Sequence, residues 1–341
     1  MIYIKFQILI YLSLLYLLTP IKCFSFTILQ QVGAFSGVTI GIIGYFKEAI
    51  TDWTYNKFIC PIEDLDLKIK DLSKAFIKIY GQKNSLETLM GYIEMWARDI
   101  KNDRYPSKAI GISIQGPPGV GKTYTMQKIE SILFGEKSIH FHNFGHLNFL
   151  RERNENEMYV YNYIKSSVSK CKHNIFFFDD VHLYPKGFLD VLKPFLDNRP
   201  DIGGIDYRLS FFVFVSNDNN IVLNMATDNW NKGLNKFYES KAFRRKLVDS
   251  LLHSGGGFDN SQLIISNLID DYINFLPLEE NDVRTAMHDL MHQKNITKNE
   301  KLVDKIINNL NFIPDELQIY SESGCRSIEN LLIKYNEKYK Y

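Results

Sequence analysis

The octapeptide GPPGVGKT, residues 116–123, combines glycines, a lysine and a threonine at a spacing suited to phosphate chemistry. Gly116, Gly119 and Gly121 allow backbone N–H groups to turn inward, where they can hold phosphate oxygens. Lys122 is spaced to reach the β- and γ-phosphates of a nucleoside triphosphate, and the hydroxyl of Thr123 is spaced to bind Mg²⁺. The stretch therefore predicts a nucleotide site formed by Gly116, Pro117, Pro118, Gly119, Val120, Gly121, Lys122, Thr123 and Tyr124.

Two acidic residues follow an apolar run in NIFFFDDVHL, residues 174–183. Asp179 would hold Mg²⁺ through water, beside Thr123, and Asp180 would orient the water that attacks the phosphate. A third apolar run, residues 209–217, ends in Asn217, which could hydrogen-bond the γ-phosphate and that water. An ordinary turn asparagine is the alternative for Asn217. The predicted ligands are ATP and Mg²⁺.

These side chains need strands and helices that bring them together. The runs at residues 109–115, 174–178 and 209–217 are rich in β-branched and aromatic residues, as is typical of buried parallel strands. Residues 124–134 have the apolar spacing of a helix. Because the carboxyl ends of parallel strands share one edge of a sheet, the two acids and the asparagine should meet the glycine loop there. We predict an α/β fold, a doubly wound parallel sheet.

The chain divides into four predicted segments. Residues 1–22 have a basic start and then an apolar run, typical of a signal peptide or signal anchor, with a buried N-terminal helix as the alternative. Residues 23–59 are mostly apolar and are expected to associate with a membrane surface. Residues 60–277 form the nucleotide-binding α/β domain, and residues 278–341 form a small helical lid in which a helix from Gly324 carries Arg326.

Charge and cysteine usage narrow the class of protein. The net charge is +1, so no bulk field favours nucleic acid as a partner. The four cysteines form no C-x-x-C pair, which argues against a zinc site. Cys60 and Cys171 form a disulfide if the chain enters the secretory lumen, or else are two buried thiols. In a lumen, Asn295-Ile-Thr297 is one glycosylation acceptor.

The segment HFHNFGHLNFL, residues 140–150, raises two further possibilities. His140, His142 and His146 lack acidic partners nearby in the sequence, so they are expected to be surface or core residues and not metal ligands. Phe144-Gly145 is a weak match to an aromatic–aliphatic–glycine loop that threads polypeptides, because no aliphatic residue lies between them.

Taken together, these residues resemble the AAA+ ATPases and, within them, the torsins, the Clp-related branch of the endoplasmic reticulum and nuclear envelope. Residues 176–197 resemble the torsin Walker B segment with its following helix, and residues 268–284 resemble the junction into the lid. The motif Gly-Cys-Arg within residues 320–332 resembles the torsin sensor II, with Arg326 at its basic position. Tyr-Gly-Gln, residues 80–82, resembles the box that contacts adenine, which adds Gly81 and Gln82 to the predicted nucleotide-binding residues.

The resemblance implies a luminal, membrane-associated ATPase with a P-loop AAA+ fold and a lid. Such a protein assembles with copies of itself and acts in protein and membrane remodelling and in nuclear envelope homeostasis. Its expected catalytic residues are Asp180, Asn217 and Arg326, and its expected metal ligands are Thr123 and Asp179.

Three positions depart from the family pattern. Thr123 stands where torsins usually have asparagine, which favours magnesium binding. Asp180 stands where Walker B normally has glutamate, and its shorter side chain would hold the water roughly 1 Å farther from the phosphate. Leu268 stands nine residues before Pro277, where Clp-type relatives carry an arginine that stabilises the transition state in a neighbouring subunit.

The missing arginine implies an activator. In torsins, membrane partners of the lamina-associated polypeptide type donate the arginine from a luminal domain. Alternatively, Arg244 or Arg245 of this chain serves. Two functions are therefore carried forward: a partner-activated ATPase, and a nucleotide-gated binding module with little or no hydrolysis. A third, a cytosolic or nucleic-acid-handling AAA+ protein, requires that the N-terminus is not a signal.

Overall fold

The computed structural model describes residues 60–135, 138–149, 152–217, 221–230 and 240–336. The predicted signal (residues 1–22) and membrane-associating segment (residues 23–59) lie outside the described residues. The division at residue 277 stays a prediction. Within the described part of the chain, no helix combines the length and the apolar character needed to cross a bilayer.

A parallel five-stranded sheet forms the centre of the fold, in the order β2-β3-β4-β1-β5. The three strands predicted from apolar runs are all present. The strands are β1 Ile110–Gln115, β2 Phe141–Phe144, β3 Ile175–Phe178, β4 Phe211–Ser216 and β5 Asp271–Asn274.

Helices connect these strands and cover both faces of the sheet. Among the described residues, two helices precede β1, namely α1 Leu65–Phe76 and α2 Lys83–Lys101. The helices between strands are α3 Lys122–Ile129, α4 Arg153–Lys170, α5 Lys193–Leu196, α6 Ile221–Trp230, α7 Lys241–Leu252 and α8 Gln262–Ile265. This alternation confirms the predicted doubly wound α/β architecture.

The run Phe176-Phe177-Phe178 shows how the sheet divides the core. Because successive strand residues point to opposite faces, Phe177 joins one apolar cluster while Phe176 and Phe178 join the other. Phe176 stacks on Phe212 of β4 with ring centroids 5.1 Å apart. All three side chains are buried, which holds the end of β3 firmly where Asp179 begins.

The region after β5 contains the helices α9 Glu280–Gln293, α10 Glu300–Ile307 and α11 Ile328–Tyr335. A two-stranded antiparallel hairpin of β6 Phe312–Ile313 and β7 Tyr320–Ser321 was not expected. Arg326 precedes α11 and lies in a turn, so the expectation of a helix from Gly324 is wrong. Gly324 has a left-handed backbone, φ 55°, which a helix beginning there would not allow.

Cys60 and Cys171 form a disulfide, with their Cα atoms 5.5 Å apart. It ties the segment before α1 to the end of α4, across 111 residues of sequence. The imidazole Nε2 of His173 contacts the carbonyl oxygen of Cys60 at the same place. Of the two alternatives for these cysteines, the structure has the bonded pair.

Candidate functional site

The glycine loop connects β1 to α3 and opens toward the carboxyl edge of the sheet. Gly119 and Gly121 have left-handed backbones, with φ of 76° and 101°. Helix α3 begins at Lys122, directly after the loop. The N–H groups of the loop and the positive end of the α3 dipole therefore lie together at the N-terminus of α3, an arrangement that suits phosphate binding.

Lys122 is buried and joins the loop to the end of β4. Its Nζ donates hydrogen bonds to the carbonyl oxygens of Gly116 and Pro117, both at 2.7 Å, and to Oδ1 of Asn217 at 2.9 Å. The structure thus brings together a cation and an amide that lie 95 residues apart in the chain.

Thr123 and Asp179 meet in the same place. Oγ1 of Thr123 donates to the Asp179 carboxylate, at 3.1 Å from Oδ2. Burial, and then the neighbouring Asp180 carboxylate, raise the pKa of Asp179 above its usual value. A half-buried carboxylate beside a hydroxyl and a second carboxylate is a hard oxygen donor set, so these residues fit Mg²⁺.

Asp180 has a left-handed backbone, φ 52°, at the start of a short turn over residues Val181–Leu183. This conformation directs the chain away from β3 and leaves Asp180 on the wall of a cavity. Asparagine and aspartate tolerate the left-handed region better than longer side chains do. The backbone here offers a physical reason for aspartate where the family pattern has glutamate.

His182 contacts Asn217 and was missed by the sequence reasoning. Its Nδ1 lies 3.4 Å from the backbone N of Asn217, and its Nε2 lies 3.3 Å from the side-chain Nδ2. Because Lys122 engages Oδ1 of Asn217, the Nδ2 group must face the imidazole. Burial lowers the pKa of His182, which favours the neutral ring that can accept one of these hydrogen bonds. Nothing in the local sequence marks this role.

A cavity of about 650 Å³ lies over the loop, a size typical of small-molecule sites. Its walls come from the segment before α2, from the glycine loop and from the lid. Arg326 lines it with an exposed side chain, on the same cavity as Lys122 and Asp180. Residues outside the predicted set of nucleotide-binding residues also line it, including Ile79, Tyr80, Ala286, Asp289, Leu290, Gln293, Cys325 and Glu329.

Gly81 and Gln82 lie beside this cavity and line a neighbouring one. The Gln82 amide is buried and binds the backbone of Leu276, donating to its oxygen and accepting from its nitrogen, both at 2.8 Å. Gly81 has φ 71°, and a Cβ there would lie 2.7 Å from Cδ2 of Leu278. In the structure these two residues join the segment before α2 to the lid junction, while Ile79 and Tyr80 face the cavity.

The lid touches the glycine loop through its backbone. Cys325 N donates to the carbonyl oxygen of Gly119 at 3.0 Å. A Cβ at Gly119 would lie 1.9 Å from the carbonyl oxygen of Ser323, and a Cβ at Gly324 would lie 2.4 Å from the oxygen of Gly119. A second link joins the hydroxyl of Tyr80 to Oδ2 of Asp289 on α9, at 2.5 Å. The lid therefore contacts both the glycine loop and the segment before α2.

Position 268 is occupied by an uncharged leucine that is 7 % exposed and packs in the core. It therefore offers no cation to another chain. Arg244 is held against β5, with Nη1 3.2 Å from Oδ1 of Asp271 and its guanidinium over the Tyr272 ring. Arg245 is exposed on α7. Of the two arginines weighed as replacements, Arg245 is the more accessible.

Within residues 140–149, which the structure describes, the aromatic side chain of the predicted Phe144-Gly145 pair lies in the core and not in a loop at the site. Phe144 is 3 % exposed and stacks on Phe178 at 4.9 Å, so the weak polypeptide-threading interpretation is wrong for this residue. It is part of β2, and strand pairing places its ring in the core. His140 and His142 are buried, and His146 is half-buried in a short turn.

Comparisons with known proteins agree with this geometry. Residues 109–227 match the family model described as AAA domain. A torsin-like protein of Caenorhabditis elegans is 29% identical over 234 residues, which cover 66% of this chain and 66% of the relative. The expected resemblance to torsin-like AAA+ proteins is confirmed.

Solved structures of Hsp104 share the fold. The closed state of Hsp104 with ATPγS and FITC casein superposes with a TM-score of 0.54 at 12% identity, over 84% of this chain and 50% of that one. The extended S. cerevisiae Hsp104:casein complex gives 0.54 at 13% identity, also over 84% and 50%. This chain thus spans about half the length of those chains, and the likeness is one of fold.

Proposed function

We propose that this chain, a torsin-like AAA+ protein, binds ATP with Mg²⁺ and hydrolyses it weakly until a membrane partner supplies an arginine. The observation that carries this proposal is the meeting of the glycine loop with two strand ends. Lys122 contacts Asn217 at 2.9 Å, and Thr123 contacts Asp179 at 3.1 Å. The groups that we propose to bind phosphate, hold Mg²⁺ and position water therefore lie together at one edge of the sheet.

The residues of this chain have distinct proposed roles. Lys122 and the loop N–H groups would bind the β- and γ-phosphates, and Thr123 and Asp179 would hold Mg²⁺. Bound Mg²⁺ would neutralise charge on the phosphates. Asp180 would orient the attacking water, and Asn217 would hydrogen-bond that water and the γ-phosphate. Arg326 would stabilise phosphate charge from the lid.

In this proposal a partner protein supplies the arginine that position 268 of this chain lacks. Position 268 carries a buried leucine instead of an arginine, so it cannot supply a guanidinium group to the site of a neighbouring copy. An arginine in such a site stabilises transition-state charge by orders of magnitude in rate. We propose that a membrane protein of the lamina-associated polypeptide type donates it from a luminal domain, while copies of this chain assemble with each other.

The compartment we propose is the endoplasmic reticulum lumen and nuclear envelope, with the chain attached to the membrane surface. The Cys60–Cys171 disulfide supports an oxidising compartment, because such bonds are rare in the cytosol. In that compartment the protein would act in protein and membrane remodelling and in nuclear envelope homeostasis.

The decisive experiment measures ATP binding and hydrolysis by the purified chain, alone and with the luminal domain of a candidate activator. We expect binding alone and turnover only with the activator. Lys122→Ala should abolish binding in both cases and is the control for a contaminating ATPase. Rapid turnover by the chain alone would contradict the missing-arginine argument and direct attention to Arg245.

A nucleotide-gated binding module is the second candidate. It is favoured by the short Asp180 side chain together with the buried Leu268. In this case ATP would set the lid position and partner affinity without turnover. Binding of ATP with no hydrolysis, with or without activator, would support it over the ATPase.

A further inference from the structure

We propose that Asn295, on an exposed turn of the lid, is N-glycosylated. The tripeptide Asn295-Ile296-Thr297 is the only Asn-x-Ser/Thr sequence without proline among the 341 residues. Such a tripeptide is the acceptor for N-linked glycans when it lies on a surface turn of a luminal chain. The proposal rests on the luminal compartment given in the proposed function.

The structure presents the tripeptide in a suitable form. It lies in the connection between α9 and α10, where Asn295 has a left-handed backbone, φ 54°. Its side chain is exposed, as is that of Thr297, while Ile296 between them is half-buried and packs against the core. The two side chains that define the acceptor therefore point outward, and the middle one anchors the turn.

Backbone hydrogen bonds fix this orientation. Asn295 N donates to the oxygen of His292 at 3.1 Å, and Ile296 N donates to the oxygen of Met291 at 2.8 Å. These bonds cap the end of α9. The native fold can thus carry a sugar on Asn295 without moving any buried group.

The disulfide is an independent sign of the same compartment. Oxidising conditions that permit the Cys60–Cys171 bond occur where oligosaccharide transfer also takes place. In the transfer, Nδ2 of Asn295 attacks C1 of an oligosaccharide carried on a lipid pyrophosphate. The C1–N bond forms, the C1–O bond to the pyrophosphate breaks, the lipid pyrophosphate leaves, and the amide loses one proton to a base of the transferase.

A glycan at this place constrains assembly. Helix α9 begins beside Gly81 at Glu280 and ends at Gln293, so the turn lies a helix length, roughly 20 Å, from the lid junction. A hydrated sugar there would keep a second copy or a membrane partner from packing against the turn. Contacts between chains are then left to the other faces of the lid and to the α/β domain.

The test uses the full chain translated in the presence of endoplasmic reticulum microsomes. We expect a chain protected from external protease that loses mass on treatment with endoglycosidase H. Asn295→Gln and Thr297→Ala should abolish that mass shift, while the matched control Thr297→Ser should keep it. Asn295 and Thr297 are both exposed, so all three variants should fold, and glutamine at the left-handed backbone of position 295 should lower the melting temperature only slightly.

The failures can be told apart. In one outcome the chain is protected from protease and changes mobility on reduction, but endoglycosidase H does not change its mass. This outcome would overturn the proposed glycosylation and leave the luminal location intact. A chain that is digested by external protease and unshifted would overturn both. A shift that persists in Asn295→Gln would also overturn the proposal, because the sugar would then lie elsewhere.

Discussion

At the scale of single side chains, Asp180 is the residue that we propose to orient the water for ATP hydrolysis. Its carboxylate lies on the cavity wall but is one methylene shorter than glutamate. Asp180→Glu should raise kcat in the presence of activator by up to about 100-fold, because a displacement of about 1 Å can cost that much. ATP affinity should stay unchanged. Steady-state turnover and nucleotide titration measure the two quantities.

The left-handed backbone at Asp180 complicates this substitution in a measurable way. Glutamate adopts a left-handed backbone, here φ 52°, less readily than aspartate does, so the melting temperature of the variant should fall slightly. Asp180→Asn keeps the shape and removes the carboxylate, so it should abolish turnover. A glutamate variant that folds and binds ATP without any gain in kcat would show that side-chain length does not limit hydrolysis.

His182 should act on turnover through Asn217. The imidazole contacts both amide nitrogens of Asn217, whose Oδ1 engages Lys122. His182→Ala should lower kcat about tenfold with little change in KM, because Asn217 would lose its orientation. Leu183→Ala, at the exposed neighbour in the same turn, is the matched control and should leave kcat unchanged. An equal loss in both variants would mean that the turn as a whole matters, and not the imidazole.

At the scale of elements, two loops depend on each other at the site. The glycine loop and the turn that contains Gly324 pack backbone to backbone through Gly119 and Gly324. Gly119→Ala would set a Cβ 1.9 Å from the oxygen of Ser323, in a left-handed conformation that costs about 1–2 kcal/mol without glycine. We expect ATP affinity to fall at least tenfold, as measured by titration with a fluorescent nucleotide.

Gly91→Ala is the control for this substitution. Gly91 lies exposed within α2, and a Cβ there meets nothing within 4 Å. The exchange should stabilise the protein by about 0.5–1 kcal/mol, because alanine favours a helix. Unchanged nucleotide affinity in Gly119→Ala would show that the loop and the lid turn can separate without loss of binding.

At the scale of the whole molecule, the disulfide fastens the N-terminal end of the described chain. Cys60 and Cys171 lie 111 residues apart, so breaking their bond releases a long loop in the unfolded state. Loss of the bond should cost about 2–4 kcal/mol of unfolding free energy. Denaturant melts with and without reductant measure this cost. The Cys60→Ser/Cys171→Ser double variant should be insensitive to reductant, and an equal response in both proteins would contradict the prediction.

Acid should destabilise the fold through histidines near that disulfide. Burial lowers the pKa of His140 from 6.5 to about 4, and burial also lowers the pKa of His142 and of His173. The His140 and His173 rings stack at 5.1 Å. Between pH 6.5 and 4, His140 is therefore protonated in the unfolded chain but neutral in the folded chain. The free energy of unfolding consequently falls as the pH drops through this window.

Melting temperatures measured from pH 7 to 4 check this expectation. His140→Gln removes one titrating group and should flatten the slope relative to the parent chain. Carboxylates titrate in both proteins, so the difference between the two curves isolates the histidine. Parallel curves would contradict the prediction.

The features that could be predicted from the sequence are those set by short runs of neighbouring residues. The glycine loop, the acids after β3 and the strands all depend on residues close in sequence, because backbone N–H groups, strand ends and helix starts are local features. The same holds for the alternation of strands and helices that defined the α/β fold. Asn217 is intermediate, since its type and strand end were visible but its partner Lys122 was not.

The sequence by itself indicated the chemistry that we propose for this protein: a glycine loop suited to phosphate, Thr123 and Asp179 as a predicted magnesium pair, aspartate at position 180, and leucine in place of an arginine at position 268. Tertiary structure alone decided which distant groups meet. In the structure, His182 contacts Asn217, and Cys60 is bonded to Cys171. Tyr80, and not Gln82, lines the cavity, and Phe144 lies in the core. The physical reason is that such contacts join segments far apart in the chain, and their geometry follows from the packing of whole elements rather than from local residue type.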